Sequence, residues 1–408
     1  MSEQTEISLK ALCESLGVNS LPSFFSDIYE KKLCEGTLFD TFRLTNEYIL
    51  SQHKKYCLFD ESLIPLILKS AAAIRERGEL ITYINLLTDS YSDPSNFFER
   101  LSEFSGPDVG GADDTIDFLY LFALLPLIDI QDAELTRHNM PQEIKSLSFR
   151  EYNDKIFVDA LQYGRPVCAK GHFGWLLRFC HATIIRIEEL SFEIKRGTRL
   201  SFSAYRNKLD GSVCVFYNNV RIHKSGMVLG SSLYDDGNGS FTATFDESDT
   251  EITGYPIDEK CLCSDTPITL SKTIWELVIK SGDDYINVHI PRGAKIDSVN
   301  SKKSFDSARI IFDELYDDFH PKSFICFSWL LDPALGTILK PDSNILGFQK
   351  EFSRFPYQSA GREVFSFVFP APFKDYSELP EKTSLQRSIK QKYLKGEKIY
   401  GFGGVKPF

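Results

Sequence analysis

His289 is the side chain of this sequence best suited to moving a proton at neutral pH, because imidazole titrates between pH 5 and 8. It sits in Asp284 to Ile290, DYINVHI, where polar and apolar types alternate. A period of two is that of a strand. It puts Ile286, Val288 and Ile290 on one face and Tyr285, Asn287 and His289 on the other. The imidazole is then either a general base or a structural group holding the turn before Pro291. Further on, Phe324 to Leu331 is a nearly continuous apolar run, as expected of a strand covered on both faces. Cys326 and Ser328 share one face of it, and either has the chemistry of a nucleophile. A free Cys, however, is among the most buried residue types. Paired with His289, Cys326 would make a hydrolase. Glu251, on a predicted strand before Gly254, is a second candidate base, and Tyr255 and Tyr357 are candidate acids by residue type.

The elements that must position these groups follow from hydrophobic spacing. Leu9, Leu12, Cys13 and Leu16 keep helical spacing and Gly17 stops the helix. Phe24, Phe25 and Ile28 begin a second helical pattern after Pro22, Leu63 to Ile74 continues it, and Gly78 marks a break. Ile156, Phe157, Ala160 and Leu161 form another stripe, closed by Gly164 and Pro166. Near residue 185 the period falls to two. Leu190, Phe192 and Ile194 alternate with Ser191, Glu193 and Lys195, and Leu200, Phe202 and Ala204 with Ser201 and Ser203. Asp210-Gly211 and Asp235 to Gly239 are turn signals between such runs. From 270 the reading is strand, helix, strand, helix. Leu270 to Ile279 is predicted as a short helix around Trp275. Phe305, Ala308, Phe312, Leu315 and Phe319 mark a helix after the His289 strand. Asp332-Pro333 opens another helix, and Val364 to Phe369 is predicted as a strand. Thr383 to Gln386 is a capping box for a helix that Gly396 closes, and Gly401 to Val405 reads as loop. The fold class predicted is α+β. A helical domain over residues 1–180 precedes a mixed, mostly antiparallel sheet with flanking helices over residues 181–408.

Composition bounds the partners. The chain has 408 residues and a net charge of −11, which disfavours nucleic acid because phosphate neutralisation needs a basic face. Cationic or neutral small substrates fit better. The start, Met1 to Ile7, has no basic region followed by an apolar one. The longest apolar stretch, Phe118 to Ile128, is shorter than the ~20 residues a bilayer span needs, so no membrane partner is expected. Nine cysteines without a C-x-x-C pattern argue against a disulfide framework or a zinc site. A reduced, cytoplasmic protein with thiols in its core is expected, and a homo-oligomer is compatible with the sequence. Residues 101–136 carry eight acids and no base. They form either solvated loops and helix ends or a docking surface for a basic partner.

From Val288 onward the sequence resembles a known family. His289-Ile-Pro-Arg-Gly293, Ser304, Ser328-Trp-Leu-Leu-Asp-Pro333, Ser343-Asn-Ile345 and Phe348 are similar to the C-terminal domain of a bacterial acyltransferase family. That domain is GNAT-like, after the acetyl-CoA-dependent N-acetyltransferases. Gly254-Tyr-Pro-Ile257 and Leu379 to Arg387 resemble further blocks of the same family. The helical first part is similar to its N-acyltransferase-type N-terminal domain. The resemblance spans nearly the whole chain, and its motifs are specific for the family rather than for one reaction. It implies transfer of an acyl group from acetyl-CoA or another acyl-CoA to a small-molecule acceptor carrying an amine or hydroxyl.

In a GNAT-type site a strand carries the thioester, and the following loop and helix N-terminus hold the diphosphate. The segment 284–319 has that order of strand, loop and helix. The resemblance therefore implies catalytic roles for His289, Glu251 and Ser328. It implies CoA contacts at Ile290, Arg292, Gly293, Ser301, Ser304 and Asn344. Arg292 would bond phosphate, Gly293 would allow close backbone approach, and Ser301 or Ser304 would cap the helix. The usual loop is Gln/Arg-x-x-Gly-x-Gly/Ala. The loop from Arg292 to Ser301, RGAKIDSVNS, is longer, has one glycine and carries the negative Asp297. That departure motivates the alternative, a non-catalytic GNAT-shaped module that senses a ligand or binds a protein.

Overall fold

The computed structural model describes residues 8–408. Residues 1–7, on which the reading of a start without a targeting signal rests, lie outside the described residues. The chain divides into two compact units, the first ending at Arg186 and the second comprising Ile187–Phe408.

The first unit is helical: α1 (Leu9–Leu16), α2 (Phe25–Glu35), α3 (Asn46–Tyr56), α4 (Ile64–Ile74), α5 (Gly78–Ser90), α6 (Phe97–Leu101), α7 (Leu119–Leu124), α8 (Ile128–Arg137), α9 (Gln142–Phe149), α10 (Glu151–Tyr163) and α11 (Lys170–Cys180). Ser8 caps α1 by accepting from the Ala11 amide, and Gly17 ends it at φ 65°, a left-handed position glycine adopts without penalty. Phe118 to Ile128 forms α7 and a turn at Pro126 leading into α8. Its apolar side chains lie in the core among rings such as Phe104 and Phe173, stacked 4.7 Å apart. Among the described residues no helix is long and apolar enough to cross a membrane.

Much of the acid-rich stretch is solvated, as expected, with Asp108 91% and Asp114 55% exposed, but its acids are not left unpaired. Bases from other elements meet it: Arg77 pairs with Asp113 (2.8 Å), Lys69 with Asp114 (3.1 Å), Arg165 with Asp117 (2.5 Å), Lys55 with Asp129 (2.8 Å) and Lys145 with Asp132 (2.9 Å). The bases are distant in sequence, so a local charge tally misses them.

From residue 184 the chain is mixed. The elements are β1 (Ile184–Ile187), β2 (Leu190–Lys195), β3 (Phe202–Asn207), β4 (Val213–Tyr217), β5 (Val220–Ile222), β6 (Phe241–Ala243), β7 (Phe245–Glu247), β8 (Glu251–Gly254), β9 (Ile268–Ser271), β10 (Trp275–Ile279), β11 (Tyr285–His289), α12 (Ser298–Leu315), β12 (Ser323–Ser328), α13 (Asn344–Gln349), β13 (Ser353–Pro356), α14 (Glu363–Val368), α15 (Ser384–Leu394) and β14 (Phe402–Pro407). Six strands form the main sheet in the order β1-β2-β11-β12-β14-β13. β11 and β12 are parallel, joined by α12 as the crossover that parallel strands require. The pairs β11–β2, β12–β14 and β13–β14 are antiparallel, so the sheet is mixed and mostly antiparallel, as expected.

One face of this sheet is covered by α12, with Phe305 packed on Phe324 (5.0 Å) and Phe192 (6.2 Å). The opposite face meets a second sheet, β10-β3-β4, in a core that joins Phe202, Val215 and Tyr285 to Ile325, Phe355 and Val405. Coverage on both faces explains the unbroken apolar run of β12.

Four expectations are corrected. Leu270 to Ile279 is not a helix but the end of β9 and all of β10, which pair with β8 and β3. Val364 to Phe369 is not a strand but α14, whose Val364 and Phe365 enter a core with Ile389 and Tyr393. Short apolar runs fit both periods, and tertiary packing decides between them. α12 ends at Leu315, so Phe319 lies beyond it, although still against Phe312 (5.9 Å). The glycine-rich end is not a loop but β14, an interior strand of the main sheet. A Cβ at Gly401 would meet the Tyr357 ring and its hydroxyl, and one at Gly403 the Phe355 ring. These glycines mark close approach by aromatic side chains rather than chain freedom.

Candidate active site

His289 ends β11, and Pro291, which has no N–H to donate, follows two residues later. The two parallel strands pair from Ile286–Phe324 to Val288–Cys326 and no further. Past that point β11 keeps only β2, where His289 faces Ser191, while β12 keeps only β14, through Phe327–Gly403 and Ser328–Phe402. The parallel pairing therefore stops at the C-terminal ends of these two strands, the end of an α/β sheet at which ligands lie.

Alternation sorts the side chains around that end. Tyr285, Asn287 and His289 share a face with Ser191, Glu193 and Lys195 of β2. In register, Asn287 aligns with Ile325, so Phe327 falls on the same face as His289. Phe327 is 40% exposed and stands edge-on to Tyr357 (5.5 Å). Tyr357 in turn lies over Gly401. Burial pushes the Tyr357 phenol up to about 12, with the charge of Glu363 adding to it, so it is protonated at neutral pH.

The polar end of the face is a tight network. Glu193, its side chain 2% exposed, accepts from His289 Nε2 at 2.9 Å, from Asn287 Nδ2 at 3.0 Å and from Lys195 Nζ at 2.7 Å. A carboxylate only accepts, so Nε2 carries the hydrogen of this bond; Asn287 Nδ2, 3.1 Å from the same nitrogen, is then a neighbour that donates to Glu193 and not to the ring. Burial pushes the Glu193 carboxyl up, but the hydrogen bond and charge of His289, with Lys195 and Asn287, outweigh it and hold the group at about 2. Two more polar atoms here are buried and lack a hydrogen-bond partner: Ser191 Oγ, opposite His289, and Asn287 Oδ1.

The other expected site residues are placed less favourably. Ser328 lies on the α12 face with Phe324 and Cys326, opposite His289, and its Oγ accepts from the Leu330 amide at 3.1 Å as a cap. Cys326 is buried, which pushes its thiol up to about 12. It is thus a core thiol on the wrong face for His289, and the hydrolase reading loses its nucleophile. Glu251 is exposed at the start of β8, in the separate β7-β8-β9 sheet. Asn344 is exposed on the first turn of α13. Tyr255 packs on Phe241 at 5.2 Å.

Several amides of the turn after Ile290 and of the start of α12 are satisfied by the protein itself. The amides of Val299 and Asn300 donate to Asp297 Oδ1 at 3.1 and 3.0 Å, so Asp297 is the cap of α12 in place of Ser301 or Ser304. The Lys295 amide donates to Glu189 Oε2 at 3.0 Å, and the Ala294 amide to the Pro291 carbonyl at 3.1 Å. Ser304 is buried and bridges the Asn300 carbonyl to the Glu189 amide. Ser301 is buried with an unpartnered Oγ. Both face the core rather than the loop. Arg292 is exposed and donates to the Phe367 carbonyl at 2.6 Å. Gly293, at φ 81°, has open space where a Cβ would be.

The structure thus brings His289, Phe327 and Tyr357 to one face and sends Ser328, Cys326 and Glu251 elsewhere. Glu193 is the residue missed by sequence. It stood in the alternating pattern of β2 as a polar position, which by default faces water. Among the described residues no group of three or more His, Cys, Asp or Glu could hold a metal ion, and the nine cysteines are free thiols.

Residues 184–406 match the family model described as the GNAT-like C-terminal domain. No curated protein sequence matches the chain. Among solved structures, an acyltransferase in complex with decanoyl-CoA and teicoplanin is similar at a TM-score of 0.63 and 12% identity, over 98% of this chain and 99% of that one. An acyltransferase mutant in complex with octanoyl-CoA is similar at 0.62 and 12%, with the same coverage. At that identity the likeness is one of fold.

Proposed function

The chain belongs to the family with a GNAT-like C-terminal domain, and from that premise we propose that it is an acyl-CoA-dependent acyltransferase acting on a small amine or hydroxyl acceptor. The observation that carries this reading is the end of the β11–β12 pairing at Val288–Cys326, with His289 the next residue of β11. In the proposed reaction the acceptor's N–H or O–H gives its proton to His289. The nitrogen or oxygen forms a bond to the thioester carbonyl carbon, and the C–S bond breaks. The departing CoA thiolate takes a proton and leaves as the free thiol. The Tyr357 phenol, protonated at neutral pH and on the same face, is the proposed donor of that proton.

The acyl-CoA enters this reading as co-substrate. Because Asp297 and Glu189 already occupy amides of the turn, the contacts proposed for the diphosphate are Arg292 and the open backbone at Gly293. The solved relatives with octanoyl-CoA and decanoyl-CoA support trying donors longer than acetyl. The proposed partners are that donor and a small-molecule acceptor, and the proposed location is the cytoplasm.

The occupied amides favour a second reading, a ligand-binding module of GNAT shape without turnover. Calorimetry with acetyl-, octanoyl- and decanoyl-CoA on folded protein, followed by a thiol-release assay, separates the two. Binding with thiol release supports the transferase. Binding without release across a panel of amines and alcohols supports the module. Binding of none of the three donors removes the transferase and leaves the module.

A further inference from the structure

Glu193 is an expensive residue to keep where it is. Taking a carboxylate out of water is unfavourable unless charges and donors compensate it. Here three donors on the same sheet face do so, from Lys195, Asn287 and His289. Its sequence neighbours Phe192 and Ile194 point to the other face, and Phe192 packs on Phe305 and Phe324. Nothing in the strand pattern demands a charge at position 193. A buried charge that a small apolar residue could replace is retained more readily where a site uses it.

The arrangement around it is directional. Lys195 holds Oε1, while Oε2 receives Asn287 and His289. The carboxylate is therefore fixed with one oxygen aimed at one ring nitrogen. A neutral imidazole has one N–H and one lone pair, and the group that accepts the N–H decides which nitrogen is which. Once the ring has taken a proton it is a cation beside a buried anion.

We infer that Glu193 is a positioning residue for His289: it fixes the imidazole in the Nε2–H tautomer and balances the positive charge the ring acquires when it takes the acceptor's proton. This rests on His289 being the base of the proposed transfer, and it adds a residue that acts through the base without touching substrate. Asn287 is part of the same device, since its amide holds the same carboxylate oxygen.

The direct test is nitrogen-15 NMR of the imidazole in the whole protein with no substrate present. The neutral ring of the wild type is expected to carry its hydrogen on Nε2. A dominant Nδ1–H form overturns the inference, and this measurement needs no variant to fold. Glu193→Gln keeps the size but offers an amide, and it is expected to mix the two tautomers. It should also lower kcat by roughly 10²-fold or more while leaving the acyl-CoA Kd within about twofold. Glu193→Asp should recover part of kcat. A Glu193→Gln protein with wild-type kcat and an unchanged tautomer overturns the role. So does one whose kcat falls only in proportion to its folded fraction by circular dichroism. If the wild type releases no thiol with any donor and acceptor, the transferase reading fails. The tautomer comparison still decides whether Glu193 governs His289.

Discussion

Replacing Glu193 by Gln gives a stability signature that can be worked out in advance. In the folded protein His289, Lys195 and Asn287 hold its carboxyl at about 2, against an ordinary value of 4.5. A depressed folded value contributes stability that is complete above the unfolded value and is lost as the pH falls through the folded one. The relevant window is therefore pH 4.5 down to 2. At 1.36 kcal/mol per pH unit, the contribution is about 3 kcal/mol in all. About 1 kcal/mol of it is gone at pH 4 and about 2 kcal/mol at pH 3. The assay is urea unfolding at pH 7, 4 and 3, followed by the fluorescence of Trp275 and Trp329. A Trp175→Phe background removes the signal of the first unit. Wild type should be more stable than Glu193→Gln at pH 7, and the gap should shrink by those amounts on acidification. Other carboxylates titrate alike in both proteins and cancel. A gap that stays constant from pH 7 to 3 refutes the claim that these three donors hold Glu193 ionised.

Further predictions follow from the neighbouring residues. Gly403→Ala drives a methyl into the Phe355 ring and should destabilise the second unit by about 1–3 kcal/mol, seen as a lower Tm. Iodoacetamide at neutral pH should label the exposed Cys34 and Cys57 well before the buried Cys326; peptide mass spectrometry reads the order. Tyr357→Phe removes the proposed proton donor while keeping the ring against Phe327, so acyl-CoA should still bind while thiol release slows by roughly 10-fold or more.

Much of this molecule was legible because its long patterns are consistent. The helical spacing from Leu9 to Leu16, the capping box at Thr383 and Gln386, and the order of β11, turn and α12 all follow from spacing and cap chemistry alone. His289 was legible because strand alternation separates it from Ile286 and Val288. What escaped were properties that belong to pairs of elements. Glu193 is buried only because β2 lies beside β11, and a period of two cannot say which face is wet. Ser328 was grouped with His289 although the parallel register puts Phe327, not Ser328, on the imidazole's face. Asp297 read as a hindrance to phosphate, yet it is the cap that α12 requires. Gly401 and Gly403 read as loop because nothing local reveals the rings of Tyr357 and Phe355 above them. Lys55, Arg77 and Arg165 lie too far along the chain to be counted against the acids they neutralise.

The most direct measurement of the central claim compares wild type with His289→Gln, using one donor shown to bind and the acceptor giving the fastest thiol release. The account predicts the same acyl-CoA affinity by calorimetry and a fall in kcat of roughly 10²–10⁴-fold, the range a general base contributes. A His289→Gln protein that binds the donor and releases thiol at the wild-type rate would contradict it.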